Sequence, residues 1–385
     1  MTTSKSDPSR KDITSNANLI VVKIGTRVLT RADGLLDTVR IESLGRQVDS
    51  LVASGKQVVL VSSGAVGAGM GRIGLDKRPK ELGHLQAIAA VGQSSLIEAY
   101  ERVFRAQGRH AAQVLLVADD FKNRSRYLNI RNTLRSLLHY NAIPIINEND
   151  TVATDELKFG DNDRLAARVA QVINADLLVL LSDVDGLYDK NPKLNKDANL
   201  IREISEISSK TFKMATSETN DYGSGGMFTK IQAAEIAFTF GCDTLIMKGN
   251  QKNPIKNFEK NKNGTLFKSP IKKKKVSFKN WLGGSINISG SVKIDEGAIK
   301  ALKLGASLLP SGVKKISGNF AKGDIIEILN DNGKKLGRGI SYYDSHELNL
   351  IKGKKSIYIK DTLGYEGREE IIHRDYLFLN LNEKN

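Results

Sequence analysis

The chain has 385 residues, 40% of them hydrophobic and 26% charged, with a formal net charge of +15. That length points to two domains or three, and the globular composition argues against a low-complexity or fibrous chain. No run approaches the 18 or so apolar residues of a membrane-spanning helix, and a lone cysteine, Cys242, excludes an internal disulfide.

The positive charge is concentrated. Residues 251–280 contain ten Lys and one Glu, an excess of nine, and they include the run Lys272–Lys275. Residues 288–385 carry sixteen Lys and Arg against thirteen Asp and Glu, an excess of only three. The basic stretch reads as a connector at 271–287, with an RNA or polyphosphate contact as the alternative; the near-balance of the tail argues against RNA as the main partner. The first sixteen residues are polar, lack the apolar core of a signal peptide and are expected to form a disordered arm. With no membrane segment and no disulfide, a cytoplasmic protein is expected.

From Leu19 onward, short apolar runs alternate with longer amphipathic ones. Leu19–Ile24, Gln57–Val61, Gln113–Val117, Ile143–Ile146, Leu177–Leu181 and Thr244–Met247 read as buried strands. Val39–Ala53, Leu85–Ala106, Arg126–Leu138, Arg164–Ile173 and Lys230–Thr239 carry helical periodicity. Continuous apolar strands separated by helices predict an α/β fold with a mostly parallel sheet covered on both faces. Ligands of such sheets bind beyond the carboxyl ends of the strands, which directs attention to the loops there. Cys242, just before the last of these strands, reads as a buried structural thiol.

Five loops hold the chemistry. Lys23 ends the first strand and is followed by Gly25, where a snorkelling surface lysine is the bland alternative. Ser62–Gly71 follows the second strand, and its glycines and small residues suit a loop around an anion, to which a helix N-terminus can add its dipole. Gly69, Gly71 and Gly74 match a dinucleotide fingerprint only weakly, and no Walker A sequence is present. Asn147–Val152 follows the fourth strand, and Gly160–Asp163 precedes a helix. Capping explains one such polar residue, not two clusters. Ser182 and Asp183 follow the fifth strand. Finally, Tyr222–Lys230 is a glycine loop entering a helix with a lysine near its start, where the helix dipole disfavours a cation unless an anion sits there too. No histidine, Ser–His–Asp or Cys–His set accompanies these residues, and the five histidines lack metal-ligand spacing. Two lysines, glycine-rich loops and carboxylates without a general base suit phosphoryl transfer to an acceptor that needs no deprotonation.

After about residue 250 the texture changes to Asn-, Lys- and Gly-rich connectors. Short runs follow, such as Asp324–Leu329 and Ser356–Ile359, with one helical pattern at Asp295–Leu304 and a hairpin signal at Asp331–Gly333. A separate small β-rich domain over 288–385 is expected.

Six segments resemble the amino-acid-kinase family, in its glutamate 5-kinase branch: VVKIGT (21–26), SSGA (62–65), INENDTVAT (146–154), GDND (160–163), LSDVDGLY (181–188) and GGMFTK (225–230). Their order and spacing make the resemblance specific, and it spans nearly the whole chain. The tail resembles a PUA domain through DEGA (295–298), SLLPSG (307–312), GNFAKGD (318–324), LGYE (363–366) and HRD (373–375). The resemblance implies an open αβα sandwich over 17–270 that phosphorylates the γ-carboxylate of L-glutamate with ATP and Mg²⁺, opening proline biosynthesis. It places Lys23 and Lys230 on the transferred phosphoryl group and Asp163 as the acid holding them. It assigns Ser63, Gly64, Asn147, Asp150, Asp161 and Asn162 to glutamate. Ser182, Asp183, Ser224, Gly225, Gly226, Met227, Phe228 and Thr229, with Lys23 and Lys230, fall to the nucleotide, and no protein side chain is assigned to a metal. It also implies a dimer or tetramer, inhibition by proline, and a glutamyl-phosphate reductase as partner. An aspartate, acetylglutamate or nucleoside-monophosphate kinase of the same fold is the alternative, and an RNA-binding protein a second one.

Overall fold

The computed structural model describes residues 15–153, 162–192, 194–216, 226–255, 264–271 and 288–379. The chain divides into two compact units, one made of residues up to 122 and 129–273, the other of 123–128 and residues from 274 on. The first fourteen residues of the polar arm and the basic run Lys272–Lys275 lie outside the described residues, as do Asp161, Ser224 and Gly225.

In the larger unit eight strands form one sheet. In chain order they are β1 (Leu19–Ile24), β2 (Gln57–Ser62), β3 (Ala111–Leu116), β4 (Ile143–Glu148), β5 (Leu177–Ser182), β6 (Glu203–Ile204), β7 (Asp243–Lys248) and β8 (Thr265–Phe267). Across the sheet they run β3-β4-β2-β1-β5-β7-β8-β6, all parallel except the β7–β8 pair. Strand β1 lies between β2 and β5 in register, Lys23 opposite Val61 on one side and Leu180 on the other. The chain adds strands first to one side of β1 and later to the other, so the crevice at its carboxyl end is a topological switch point.

Burial on both faces explains the uninterrupted apolar strands. Ile20, Val22, Ile24, Leu60 and Val179 pack with Ile41, Leu44 and Val48 of α2 (Thr38–Ala53) and with Leu96, Tyr100 and Phe104 of α4 (Leu82–Arg105). Strand alternation leaves Val21, Val59 and Leu178 for the opposite face. There α6 (Asn162–Ile173) runs against β1, β2, β4 and β5, and α8 (Met227–Phe238) packs on α6 and β7. In α6 the apolar positions Ala166, Val169, Ala170 and Ile173 recur at helical spacing and are buried, whereas Arg164 stays exposed. The short α1 (Thr26–Leu29), α7 (Ser209–Thr216) and the part of α5 (Arg124–His139) from residue 129 on complete the unit's helices named here. Each strand foreseen in this region is present, with ends moved by one or two residues. Cys242 is fully buried beside β7.

One expectation is corrected. The glycine-rich segment after β2, read as a loop around an anion, is helical from its fourth residue on, as α3 (Ala65–Ile73). Its glycines serve packing. A side chain on Gly69 would stand 1.9 Å from the carbonyl oxygen of Ile88, and one on Gly92 of α4 would stand 1.8 Å from that of Ala65. The two helix backbones therefore touch, which only glycine permits. Gly64 keeps the turn role, as the left-handed cap (φ 102°) that swings the chain from strand into helix, and Gly74 ends the helix in the same conformation.

The smaller unit holds a five-stranded sheet of order β10-β9-β11-β12-β13. Its strands are β9 (Gly290–Ile294), β10 (Val313–Gly318), β11 (Ile325–Leu329), β12 (Lys335–Ile340) and β13 (Leu377–Leu379), with α9 (Glu296–Lys303) and α10 (Ser345–Ile351) beside them. Asp295 caps α9 by accepting from the Ala298 N–H, and Asp331–Gly333 turns β11 into antiparallel β12 as expected. Val292, Ile294, Ile326, Ile328, Leu348 and Ile372 form the core. Ser356–Ile359 is not strand-like: a 3-10 turn over Ser356–Tyr358 leads into α11 (Ile359–Leu363). Only Ile359 of that run is buried, and Ile357 is 73% exposed, so the apolar run has no sheet to face.

Candidate active site

The carboxyl ends of β1, β2, β4 and β5 gather the buried polar residues. At the centre stands Asp163, in the first turn of α6 and fully buried. Lys23, the fifth residue of β1, brings its Nζ to 2.7 Å from Asp163 Oδ1. Lys230, one turn into α8, brings its Nζ to 3.0 Å from Oδ2. Thr229 adds its Oγ1 at 2.9 Å from the same Oδ2. Both lysines are themselves nearly buried, at 4% and 3% exposure. Two cations and one anion leave a net positive charge in a dry crevice, where a second anion is the natural complement. Burial alone would raise the Asp163 carboxyl, but the two ammonium groups override it and hold it well below the ordinary carboxylate range. Its position at a helix N-terminus works in the same direction.

A second cluster adjoins it. Asn162, one residue before Asp163, donates from Nδ2 to Ser63 Oγ (2.9 Å), Asn147 Oδ1 (2.9 Å) and the Ser62 carbonyl (3.1 Å). Its Oδ1 is buried and has no hydrogen-bond partner among the described residues, an orphan acceptor. Beneath this cluster, the Ser62 hydroxyl pairs at 3.0 Å with the hydroxyl of fully buried Tyr100, whose own titration burial drives upward. Asp150, in the loop after β4, is buried as well. Burial first, and Glu148 second, push its carboxyl up to about 7, while a hydrogen bond from Gln93 and the charge of Arg78 pull it down.

A third group lies at the end of β5. The buried Ser182 hydroxyl donates to Asp183 Oδ1 at 3.1 Å, and Asp183 pairs with Arg27 at 2.7 Å. Half-burial raises the Asp183 carboxyl, and the Arg27 contact brings it below its usual value. Gly226 caps α8, whose second residue Phe228 is partly exposed.

Of the residues singled out in the sequence, Lys23, Lys230, Asp163 and Thr229 thus form one cluster, and Ser63, Asn147 and Asn162 an adjoining one with Gly64. Ser182 and Asp183 sit together at the end of β5. Tyr100, Arg27 and Gln93 touch these groups and were not foreseen. Tyr100 and Gln93 lie inside a long helix with no local signature, and only their distant partners give them away. Among the described residues, no three His, Cys, Asp or Glu side chains converge as for a metal ion. No helix among them is long and apolar enough to cross a membrane.

A crevice with paired lysines on one buried acid, at the switch point of a parallel sheet, defines a phosphoryl-transfer enzyme. The chain belongs to the amino acid kinase family, whose pattern matches residues 18–248, and a PUA domain matches residues 290–363. Its full-length relatives are more particular. It is 47% identical to the glutamate 5-kinase of Thermoanaerobacter sp. (strain X514) over 94% of this chain and 97% of that protein. It is 45% identical to the glutamate 5-kinase of Thermus thermophilus over 94% and 98% respectively, and 42% identical to that of Rhodopirellula baltica over 97% and 96%. Among solved structures, a carbamate kinase from Giardia lamblia bound to AMP-PNP aligns at 19% identity with a TM-score of 0.46, over 66% of this chain and 99% of that one.

Proposed function

We propose that the chain transfers the γ-phosphoryl group of ATP to the γ-carboxylate of L-glutamate, giving ADP and L-glutamyl 5-phosphate, the opening step of proline biosynthesis. The observation that carries this reading is the Lys23–Asp163–Lys230 cluster beside a second cluster rich in uncharged acceptors and donors, with no general base in either. The acceptor fits. A γ-carboxylate is already ionised at neutral pH, so one of its oxygens attacks the γ-phosphorus without giving up a proton. The bond from that phosphorus to the β–γ bridging oxygen breaks, and the electron pair leaves with ADP.

The obstacle is charge. Two anions must approach, and the phosphoryl oxygens carry the negative charge of the transition state. Lys23 and Lys230 supply fixed ammonium groups for them, and Asp163 keeps both ammoniums charged and aimed without occupying the crevice. The known ATP use of the family brings magnesium with it. Each Asp163 oxygen faces a lysine and no three acids converge among the described residues, so magnesium would come with the phosphates of ATP and would offset their charge. Ser182, Asp183 and the start of α8 are the nucleotide side. Asp150 and the orphan Oδ1 of Asn162 are both acceptors, which suits the α-ammonium of a free amino acid and not an N-acetylated one. To the same reading belong inhibition by proline at the glutamate position, a dimeric or tetrameric state, a cytoplasmic location and passage of the labile product to a reductase.

The test is acyl-phosphate trapping with hydroxylamine in the presence of ATP and Mg²⁺, offering glutamate, aspartate, N-acetylglutamate or UMP. Hydroxamate from glutamate alone, suppressed by proline, is the expected result. Absence of hydroxamate from every carboxylate would overturn the reading.

A further inference from the structure

The acceptor cluster rests on two hydroxyls in the apolar core. Tyr100 of α4 and Ser62, the last residue of β2, are fully buried, and Tyr100 packs in one core with Ile24, Leu60, Leu96 and Phe104. Their oxygens lie 3.0 Å apart, and Ser62 Oγ lies 3.1 Å from the Ser63 carbonyl oxygen. A carbonyl can only accept and a hydroxyl has one hydrogen, so Ser62 donates to Ser63 and Tyr100 donates to Ser62. The relay therefore has one direction, from Tyr100 through Ser62 to the Ser63 carbonyl.

It ends on a pliable joint. The Ser63 carbonyl belongs to the peptide that joins Ser63 to Gly64, and Gly64 stands in the left-handed region at φ 102°. Glycine moves between such conformations at little cost, so the residue by itself does not fix that peptide. On its other side Ser63 donates its N–H to the Ile24 carbonyl at 3.2 Å. With both peptides tied, Ser63 Oγ and the Ser62 carbonyl are set as acceptors for Asn162 Nδ2, at 2.9 and 3.1 Å. Asn147 Oδ1 is a third, at 2.9 Å. An amide turned the other way would set Asn162 Oδ1 against two carbonyl oxygens that have no hydrogen to give. This framework thus leaves Asn162 Oδ1 as the orphan acceptor.

We propose that Tyr100 and Ser62 are positioning residues of the acceptor site: their hydroxyl relay fixes the Ser62–Gly64 turn so that Asn162 offers its amide oxygen, and not its NH2, to the substrate's α-ammonium. The inference rests on the proposed function above. Stability alone does not call for the pair. Phe and Ala would fill nearly the same core space, and replacing both partners of a buried hydrogen bond by apolar groups of similar shape is close to neutral. Removing one partner strands the other and destabilises the fold.

That asymmetry sets the test. Tyr100→Phe, Ser62→Ala and the double variant are each followed by thermal unfolding and by steady-state kinetics with glutamate and ATP varied in turn. Loss of the relay raises the glutamate KM about five- to tenfold in all three, with the ATP KM within about twofold of wild type. The melting temperature falls in the single variants and returns close to the wild-type value in the double, where no hydroxyl is stranded, while the glutamate KM stays raised. A glutamate KM that recovers together with the melting temperature, or a rise shared by ATP, reduces the relay to a packing feature and overturns the proposal. An unaltered glutamate KM in every variant overturns it equally. Should a single variant fail to fold, the double decides by the same criterion. Wild-type protein that yields no hydroxamate from glutamate sinks the underlying reading instead, and that control does not depend on the variants.

Discussion

The two units of the molecule treat polar groups in opposite ways. The larger unit buries Lys23, Asp163, Lys230, Asp150, Asn147, Asn162 and Ser182, nearly all at the carboxyl edge of its sheet. In the smaller unit Ser341 is the one buried polar residue, aromatics aside, among the described residues. Its charges pair at the surface instead, such as exposed Lys314 with exposed Asp331, or exposed Lys335 with the half-buried Glu327. Burying a charge is costly unless it is paired, and replacing a buried ion pair by apolar residues is often neutral for stability. A fold has little reason to keep three charges in a dry crevice for its own sake. The contrast is what the proposed chemistry in the larger unit predicts, and it leaves the smaller unit a packed body whose lysines and arginines lie mostly at its surface.

That comparison breaks first at the lysines. Lys23→Ala and Lys230→Ala should each lower kcat by roughly 10²-fold or more, because each removes one fixed positive charge from the transition state. Hydroxamate kinetics at saturating glutamate and ATP measure it, and a loss below about threefold in either variant would return that lysine to a structural role. Asp163→Asn is next and acts on stability as well. It leaves two buried ammonium groups without their anion, a loss of about 3–5 kcal/mol in denaturant unfolding. The sign with pH also follows. A carboxyl held low in the folded state adds stability that is present above the ordinary carboxylate range and lost as pH falls toward the folded value. The wild type should therefore lose stability on acidification more steeply than Asp163→Asn does.

Asp150 gives a smaller effect of opposite sign. Its carboxyl titrates at about 7 when folded against an ordinary 3.8, so between those values the folded chain holds the extra proton and stability falls as pH rises. Asp150→Asn should flatten that decline, exceeding wild type in melting temperature most clearly near pH 8. At the same pH it should raise the glutamate KM well beyond the ATP KM. Equal changes in the two KM values would remove Asp150 from the acceptor site.

Much of this was legible in the sequence, for identifiable reasons. The buried strands announce themselves because both faces of a parallel sheet are covered, so no polar alternation interrupts LIVVKI or LLVLL. Lys23 stands out against that run, and Asp163 against the helix it opens. The segment after β2 misled because glycine has two uses: Gly64 turns the chain, while Gly69 and its partner Gly92 let two helices touch, a requirement set by residues over twenty positions apart. SIYI at 356–359 misled because so short an apolar run does not distinguish a strand from a helical turn. Gln93 and Tyr100 carried no signal, since their partners Glu148 and Ser62 lie far off in the chain.

The smallest effect tests the comparison from the side of the accessory unit. Lys322 is a well-connected charge there: its Nζ lies 2.9 Å from Glu347 Oε1, donates to the Tyr365 hydroxyl at 2.8 Å and sits 4.8 Å from that ring's centroid. Tyr365 in turn donates to Glu347 at 2.9 Å, closing a triangle. If connectivity decided energy, this lysine would rival Lys23. The Lys322 side chain is 47% exposed, however, against 6% for Lys23, so water screens it. Partial burial lowers the Lys322 ammonium, while the Tyr365 and Glu347 contacts outweigh it and raise it. The stability they add is accordingly present below the ordinary lysine range and fades only as pH rises above it. Lys322→Met should cost under about 1 kcal/mol in denaturant unfolding at neutral pH and leave kcat unchanged. A loss of several kcal/mol, or a fall in kcat approaching that of Lys230→Ala, would mean that burial is not what separates the two units.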